Sequence, residues 1–169
     1  MVGNAEFHFS DAVEFLRHLD LAPALIFADP PFNIGVSYTQ TNDNKPPAEY
    51  REWTREWLLA ASSVLADDGS LWVNIADKWA ADVVTILRDE CGLKMENWCI
   101  WHFRFGVCQP HRFIVSKTHV LWFSKGDPIV NTEAALVPSD RAAVYGDWRS
   151  PTGKRMDLDV WGFDQFCSS

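Results

Sequence analysis

Short apolar runs alternate with longer amphipathic stretches along most of this 169-residue chain. The longer stretches carry apolar residues at helical spacing and predict helices near residues 12–19, 47–66 and 77–90. The short runs predict strands near residues 6–9, 24–28, 70–75, 95–105 and 118–124. Because strands and helices take turns, we expect an α/β fold with a mostly parallel sheet flanked by helices.

Capping and loop residues separate these elements. Ser10 or Asp11 stands where a side-chain cap would begin the first helix, and Gly92 follows the third helix, where a left-handed residue often ends one. The polar residues 33–47 form a loop of the length found in lids and binding loops. We expect Asp11 to lie between a strand and a helix, at the ligand-binding edge of the sheet, although a capping Asp needs no further role.

The tetrapeptide Asp29-Pro30-Pro31-Phe32 ends the apolar run at residues 24–28. The two prolines make the turn stiff and have no N–H, so their carbonyl groups can accept hydrogen bonds. Asp29 is acceptor-only when it is ionised, and Phe32 offers a flat ring. A carboxylate, a carbonyl and an aromatic face suit a planar base with an amino group. The alternative is an ordinary rigid strand exit.

The composition indicates a folded protein of the cell interior. Hydrophobic residues make up 47% of the chain, enough for a core, and the four cysteines form no Cys-x-x-Cys pair. No apolar run approaches a membrane-spanning length, and the first residues do not resemble a signal peptide. We therefore predict a cytoplasmic location with no membrane partner.

The net charge of −8 is unevenly distributed. Residues 1–100 hold 7 Lys and Arg against 16 Asp and Glu, whereas residues 101–160 hold 8 against 6. From Gly126 onward the pattern is irregular and the basic residues stand among aromatic ones, which is typical of nucleic-acid contacts or of a solvated loop. The candidate DNA-binding residues are Arg141, Arg149, Lys154 and Arg155.

Two common kinds of site are not indicated. The spacing of His102, Cys108, His111 and His119 fits no standard zinc site, so we predict no metal. No two of the nine glycines lie closer than seven positions, so the chain has no Gly-x-Gly phosphate loop.

Several motifs in order resemble those of one family. The run from Asp29 to Gly35 is similar to the catalytic loop of the DNA amino-methyltransferases that use S-adenosylmethionine, in the permuted order that puts the catalytic motif first. Phe9-Ser10-Asp11-Ala12 resembles the upstream segment whose acidic residue lies near the adenosine of the cofactor. The other segments that match in placement are 66–73, 101–103, 119–123, 138–141, 145–147 and 159–161.

This resemblance implies a Rossmann-like methyltransferase fold, with residues 1–125 as its catalytic part and 126–169 as a target-recognition-like irregular segment. It implies that Asp29, Pro30, Pro31 and Phe32 are catalytic and that Asp11 and Asp29 bind S-adenosylmethionine. The substrate would be an adenine amino group (N6) in double-stranded DNA, since Asp at the first motif position favours adenine over cytosine (N4).

One departure from the family concerns the cofactor. The permuted family has a later Asp-Pro-Phe-x-Gly-x-Gly cofactor loop, and the residues up to Ser169 do not contain it. We expect that loop to come from a second polypeptide, or else this chain to be a truncated, catalytically silent remnant that binds DNA or a partner subunit. An uncovered sheet would also favour a homo-oligomer.

Overall fold

The computed structural model describes residues 5–36, 43–106, 108, 110–146, 148 and 152–162. The helices are α1, Ala12–Arg17; α2, Pro47–Val64; α3, Asp77–Thr85; and α4, Asp140–Tyr145. The strands are β1, Leu25–Ala28; β2, Ser70–Ile75; β3, Lys94–His102; β4, Lys117–Ser124; β5, Leu136–Pro138; β6, Lys154–Met156; and β7, Val160–Gly162. A π-helical segment, Ile86–Glu90, continues α3, and Gly92 follows it with a left-handed φ of 68°, as predicted.

Five strands form one sheet in the order β1-β2-β4-β3-β7. β1 pairs with β2 in parallel and β3 with β7 in parallel, whereas β4 lies antiparallel to both β2 and β3. Four of these strands therefore run in one direction and β4 is reversed, which confirms the mostly parallel sheet. The carboxyl ends of β1, β2 and β3 meet at one edge of the sheet, called the carboxyl edge below.

The helices α2 and α3 cover one face of this sheet and form the core with it. Alternate residues of β2 point into the core, and Leu71, Val73 and Ile75 have no exposed surface. Leu121 and Phe123 of β4, which pair with Val73 and Leu71, are equally buried. Burying each such side chain stabilises the fold by about 1.5–3 kcal/mol, so the apolar periodicity determines which face the helices cover.

The opposite face of the sheet, called the open face below, carries apolar side chains with much less cover. Leu25 and Phe27 of β1 are 61% and 60% exposed. Trp72 stacks on Trp122 with ring centroids 5.0 Å apart, and Trp161 lies at 6.4 Å from Trp72. A cavity of about 700 Å³ lies against these rings. None of the helices in the described part of the chain is long and apolar enough to cross a membrane.

The predicted strand at residues 6–9 is wrong. These residues are irregular, and Phe7 and Phe9 are 87% and 101% exposed. Alternating apolar residues form a strand only where a neighbouring strand and a buried face are available, and this segment has neither. The predicted cap is confirmed, because the Asp11 side chain accepts hydrogen bonds from the backbone N–H groups of Val13 and Glu14. Asp11 thus follows an irregular segment and begins α1.

The segment after residue 125 is more regular than predicted. β5 and β6 pair in antiparallel fashion, α4 lies between them in sequence, and β7 joins the main sheet beside β3. Each of these strands has only three residues, which is too short for an alternating pattern to be recognised.

Candidate active site at the carboxyl edge

The turn after β1 brings Asp29 next to a polar residue of the neighbouring strand. Ala28 pairs with Val73, and the next residue of β2, Asn74, donates from Nδ2 to Asp29 Oδ1 at 2.9 Å. An ionised carboxylate only accepts hydrogen bonds, so the amide must present its NH₂ group to Asp29. Asn74 is 7% exposed, and its own Oδ1 is buried without a hydrogen-bond partner among the described residues. Asn74 therefore fixes the orientation of the Asp29 carboxylate.

Two buried aromatic residues fix the backbone of the turn. Tyr50 of α2 donates its hydroxyl to the Pro31 carbonyl at 2.6 Å, and Trp79 of α3 donates Nε1–H to the Phe32 carbonyl at 2.8 Å. Both rings are 1% exposed and their centroids lie 4.4 Å apart. Because both carbonyls are bonded and both prolines have fixed φ, the turn is rigid before any ligand binds.

The residues after the turn are held by a buried carboxylate. Asn33 has a left-handed φ of 54°, and its N–H donates to Asp43 Oδ1 at 2.6 Å. The N–H of Ile34 donates to Asp43 Oδ2 at 3.1 Å. The Asn33 side chain in turn bonds both the N–H and the carbonyl of Lys45. Asp43, which is 4% exposed, thereby closes the loop that sequence reasoning predicted at residues 33–47.

Two neighbouring cavities open at this turn. The first, of about 380 Å³, is lined by all four predicted catalytic residues together with Ile34, Asp43 and Asn74. The second, of about 560 Å³, is lined by Asp11 and by residues of the loop and α2, including Glu49 and Trp53. Pro31 and Asp43 line both cavities. The fold thus places Asp11 beside the turn that carries Asp29, although the two residues belong to different elements.

A further polar cluster follows β2 at the same edge. The carboxylate of Asp77 contacts Lys117 Nζ and His119 Nε2, and Trp98 Nε1–H donates to His119 Nδ1 at 2.7 Å. Because Nδ1 accepts from Trp98, Nε2 carries the proton that His119 donates to Asp77. Partial burial opposes ionisation of Asp77, but the hydrogen bonds from Lys117 and His119 outweigh it and hold the pKa of the carboxyl below its usual range.

Sequence reasoning missed Asn74, Asp43 and the Asp77 cluster. Asn74 could have been noticed as the one amide in the apolar run at residues 70–75. No local pattern marks Asp43, because its partners lie 9 and 10 residues earlier across the loop.

Three of the four predicted DNA-binding residues lie on the short elements after residue 125. Arg141 is on α4, Lys154 and Arg155 are on β6, and Arg149 lies outside the described residues. Met156, next to Arg155, lines the cavity of the open face together with Leu25 and Ser70, at the starts of β1 and β2. The contact of these basic residues with DNA stays a prediction. In the described part of the chain, no group of His, Cys, Asp and Glu residues could hold a metal ion.

The hydroxyl of Tyr50 gives the site a measurable pH dependence. Burial raises the pKa of Tyr50 from 10.0 to about 12. Because the folded pKa lies above the unfolded one, the resulting stabilisation is complete below about pH 10 and is lost as the pH rises toward 12. We expect the free energy of unfolding to fall more steeply across this interval in the wild type than in Tyr50→Phe. Denaturant unfolding at several pH values measures how steeply the free energy of unfolding falls with pH in each protein. Equal slopes would contradict a raised pKa for Tyr50.

The described part of the chain has a Rossmann-like fold that solved DNA methyltransferase structures share. Among solved structures, the chain is similar to PvuII DNA methyltransferase (cytosine-N4-specific), with a TM-score of 0.64, 16% identity, and coverage of 92% of this chain and 56% of that one. It is also similar to the M1.HpyAVI–SAM complex, with a TM-score of 0.52, 15% identity, and coverage of 72% and 55%.

Sequence comparison identifies the family. A family model described as DNA methylase matches residues 24–166, so the chain belongs to the DNA methylase family of N6- and N4-methyltransferases. It is 40% identical over 86 residues to the type II methyltransferase M.MjaVI of Methanocaldococcus jannaschii, covering 46% of this chain and 44% of that protein. It is 28% identical over 117 residues to the type II methyltransferase M.HpaI of Haemophilus parainfluenzae, covering 69% and 37%. The chain thus spans less than half the length of these relatives.

Proposed function

We propose that this chain is the catalytic part of a site-specific DNA methyltransferase that transfers a methyl group to the N6 amino group of adenine. The observation that carries the proposal is the Asp29 carboxylate, held by Asn74 in a cavity that Phe32 also lines. Family membership supplies DNA methylation as the chemistry. Asp, as the first residue of the motif, supports adenine as the base.

The residues of the turn explain how an amino group would be positioned. The target base must leave the duplex, since its reacting nitrogen cannot be reached within the stack. Asp29 and the Pro30 carbonyl would accept its two amino hydrogens, while the ring of Phe32 would stack on the base. These bonds direct the nitrogen lone pair toward the methyl donor and stabilise the charge that develops on the nitrogen. A turn that is already rigid supplies this alignment without reorganisation.

The residues of the second cavity, next to the catalytic turn, fit the adenosine part of S-adenosylmethionine. Besides Asp43, the second cavity carries the carboxylates of Asp11 and Glu49 and the ring of Trp53, and these acceptors and this ring suit ribose hydroxyls and an adenine ring. When bound, S-adenosylmethionine supplies an electrophilic methyl group. We propose that Asp11 holds the adenosine side and that Asp29 borders the methyl group.

Partners and location follow from the same proposal. Double-stranded DNA is the substrate, with residues 1–125 as the catalytic part and 126–169 as the part near target recognition. The open face, with Leu25 and Phe27 exposed, suits either a second polypeptide that supplies the cofactor loop or a second copy of this chain. A cytoplasmic location fits an enzyme that acts on cellular DNA.

The base that is methylated decides between two candidates. Cytosine-N4 is the alternative, and its support is the likeness to the cytosine-N4-specific PvuII enzyme. We expect this chain, expressed together with the segment that supplies the cofactor loop in a bacterial host without DNA methylases, to yield N6-methyladenine, measured by mass spectrometry of digested genomic DNA. Detection of N4-methylcytosine would show that cytosine, and not adenine, is the substrate. Neither product, with folded protein present, would contradict the proposed activity for this chain.

A further inference from the structure

A second feature of the carboxyl edge is the β3–β4 loop, residues 103–116, which the structure describes except at positions 107 and 109. β3 runs parallel to β1 and β2 because β4 is antiparallel to β2 and β3 alike. The loop that follows β3 therefore emerges at the same edge as Asp29.

The arms of this loop are held together at its base. Phe103 N–H donates to the Ser116 carbonyl at 2.8 Å. Gly106 lies so close to the returning arm that a Cβ there would be 2.6 Å from both Ile114 Cγ2 and the Val115 carbonyl oxygen. Two aromatic rings of the first arm, Phe103 and Phe105, stack with centroids 4.7 Å apart. The loop is thus a closed projection from the sheet.

The outer part of the loop exposes apolar side chains. Phe113 is 100% exposed, Phe105 68%, Val115 60% and Ile114 48%. An aromatic ring in water lacks the stabilisation that burial would give it, so a partner that covers the ring would bind more tightly.

The charge of the loop indicates the chemistry of its partner. In a chain of net charge −8, this loop contains Arg104, His111 and Arg112 and no Asp or Glu. Cations beside exposed rings suit a polyanion with flat, stacked groups, which is the chemistry of DNA. An anionic membrane also attracts basic and apolar groups, but the position at the same edge of the sheet as the catalytic turn favours the substrate of that turn.

We infer that the β3–β4 loop enters the DNA duplex, with Phe113 stacking in the space that the extruded base leaves and Arg112 contacting a phosphate. This inference rests on the proposed function, which requires an extruded base. Apolar side chains inserted between bases are a known way to hold an unstacked duplex open. Phe113 thereby lowers the cost of base extrusion, while Asp29 holds the base that has left.

The test compares binding to two short duplexes of one sequence, intact or with a central abasic nucleotide, using the 169-residue chain and fluorescence anisotropy. We expect the wild type to bind the abasic duplex about tenfold more tightly, within the range that one base–aromatic stack supplies. Phe113→Ala should abolish this preference and bind the intact duplex almost unchanged, and Phe113→Trp should restore it. Arg112→Gln should weaken binding to both duplexes equally. It should also reduce the slope of the logarithm of the binding constant against the logarithm of the salt concentration by about one.

The control is Phe7→Ala, which removes a ring that is 87% exposed and lies outside the loop, and which should keep the wild-type preference. A preference that survives in Phe113→Ala, or a wild type without any preference, would overturn the inference and leave the proposed methylation intact. Absence of binding to either duplex would overturn both. Binding to anionic phospholipid vesicles, with no binding to DNA, would make a membrane the partner of the loop.

Discussion

Asp29→Ala should lower methyl transfer about 10²–10³-fold and leave the fold intact. The carboxylate is the acceptor proposed for the amino group, and deleting one preorganised partner of a developing charge has an effect of this size. Asn74 donates to this carboxylate at 2.9 Å, so the wild-type geometry is set before the base arrives. The measurement is transfer of a radioactive methyl group from S-adenosylmethionine to DNA, by the chain together with any segment needed for activity.

A second variant separates chemistry from folding. Asp68→Ala removes an exposed carboxylate on the turn before β2 and should keep full activity. Circular dichroism and denaturant unfolding should show the same fold for both variants. If Asp29→Ala turned over at nearly the wild-type rate while Asp68→Ala did the same, Asp29 would have no part in the reaction.

Trp79→Ala should lower the free energy of unfolding by about 3–5 kcal/mol, the cost of removing a large buried aromatic side chain. Trp79 is 1% exposed, packs against Tyr50 at 4.4 Å and donates Nε1–H to the Phe32 carbonyl. Its loss leaves both a cavity in the core and an unpaired carbonyl in the catalytic turn. Denaturant unfolding measures the change.

Two comparisons separate these contributions. Trp79→Phe retains a ring but not the N–H, so the unpaired Phe32 carbonyl should cost about 1–3 kcal/mol of the free energy of unfolding. Trp148→Ala removes a side chain that is 84% exposed, and it should change the free energy of unfolding by less than about 0.5 kcal/mol. Equal effects of Trp79→Ala and Trp148→Ala would show that the ring of Trp79 does not belong to the core.

The apolar pattern along the chain was sufficient to predict most of the helices and strands of the fold. β2 and β4 were recognised because long apolar runs are stabilised by burial wherever they lie in sequence. The same reasoning failed at residues 6–9, where an alternating pattern has no neighbouring strand, and at the three-residue strands β5, β6 and β7. Short strands form because a partner strand is in place, which is a property of the assembled sheet.

The sequence by itself determined the chemistry of the turn, since an acceptor, two rings without N–H groups and an aromatic side chain are properties of Asp29, Pro30, Pro31 and Phe32. Only the tertiary structure decided what holds them. Asn74 reaches Asp29 across 45 residues and Trp79 reaches the Phe32 carbonyl across 47. Such contacts depend on the order of strands in the sheet, because pairing β1 with β2 brings the ends of distant segments to one edge. A local sequence pattern does not specify which strands pair.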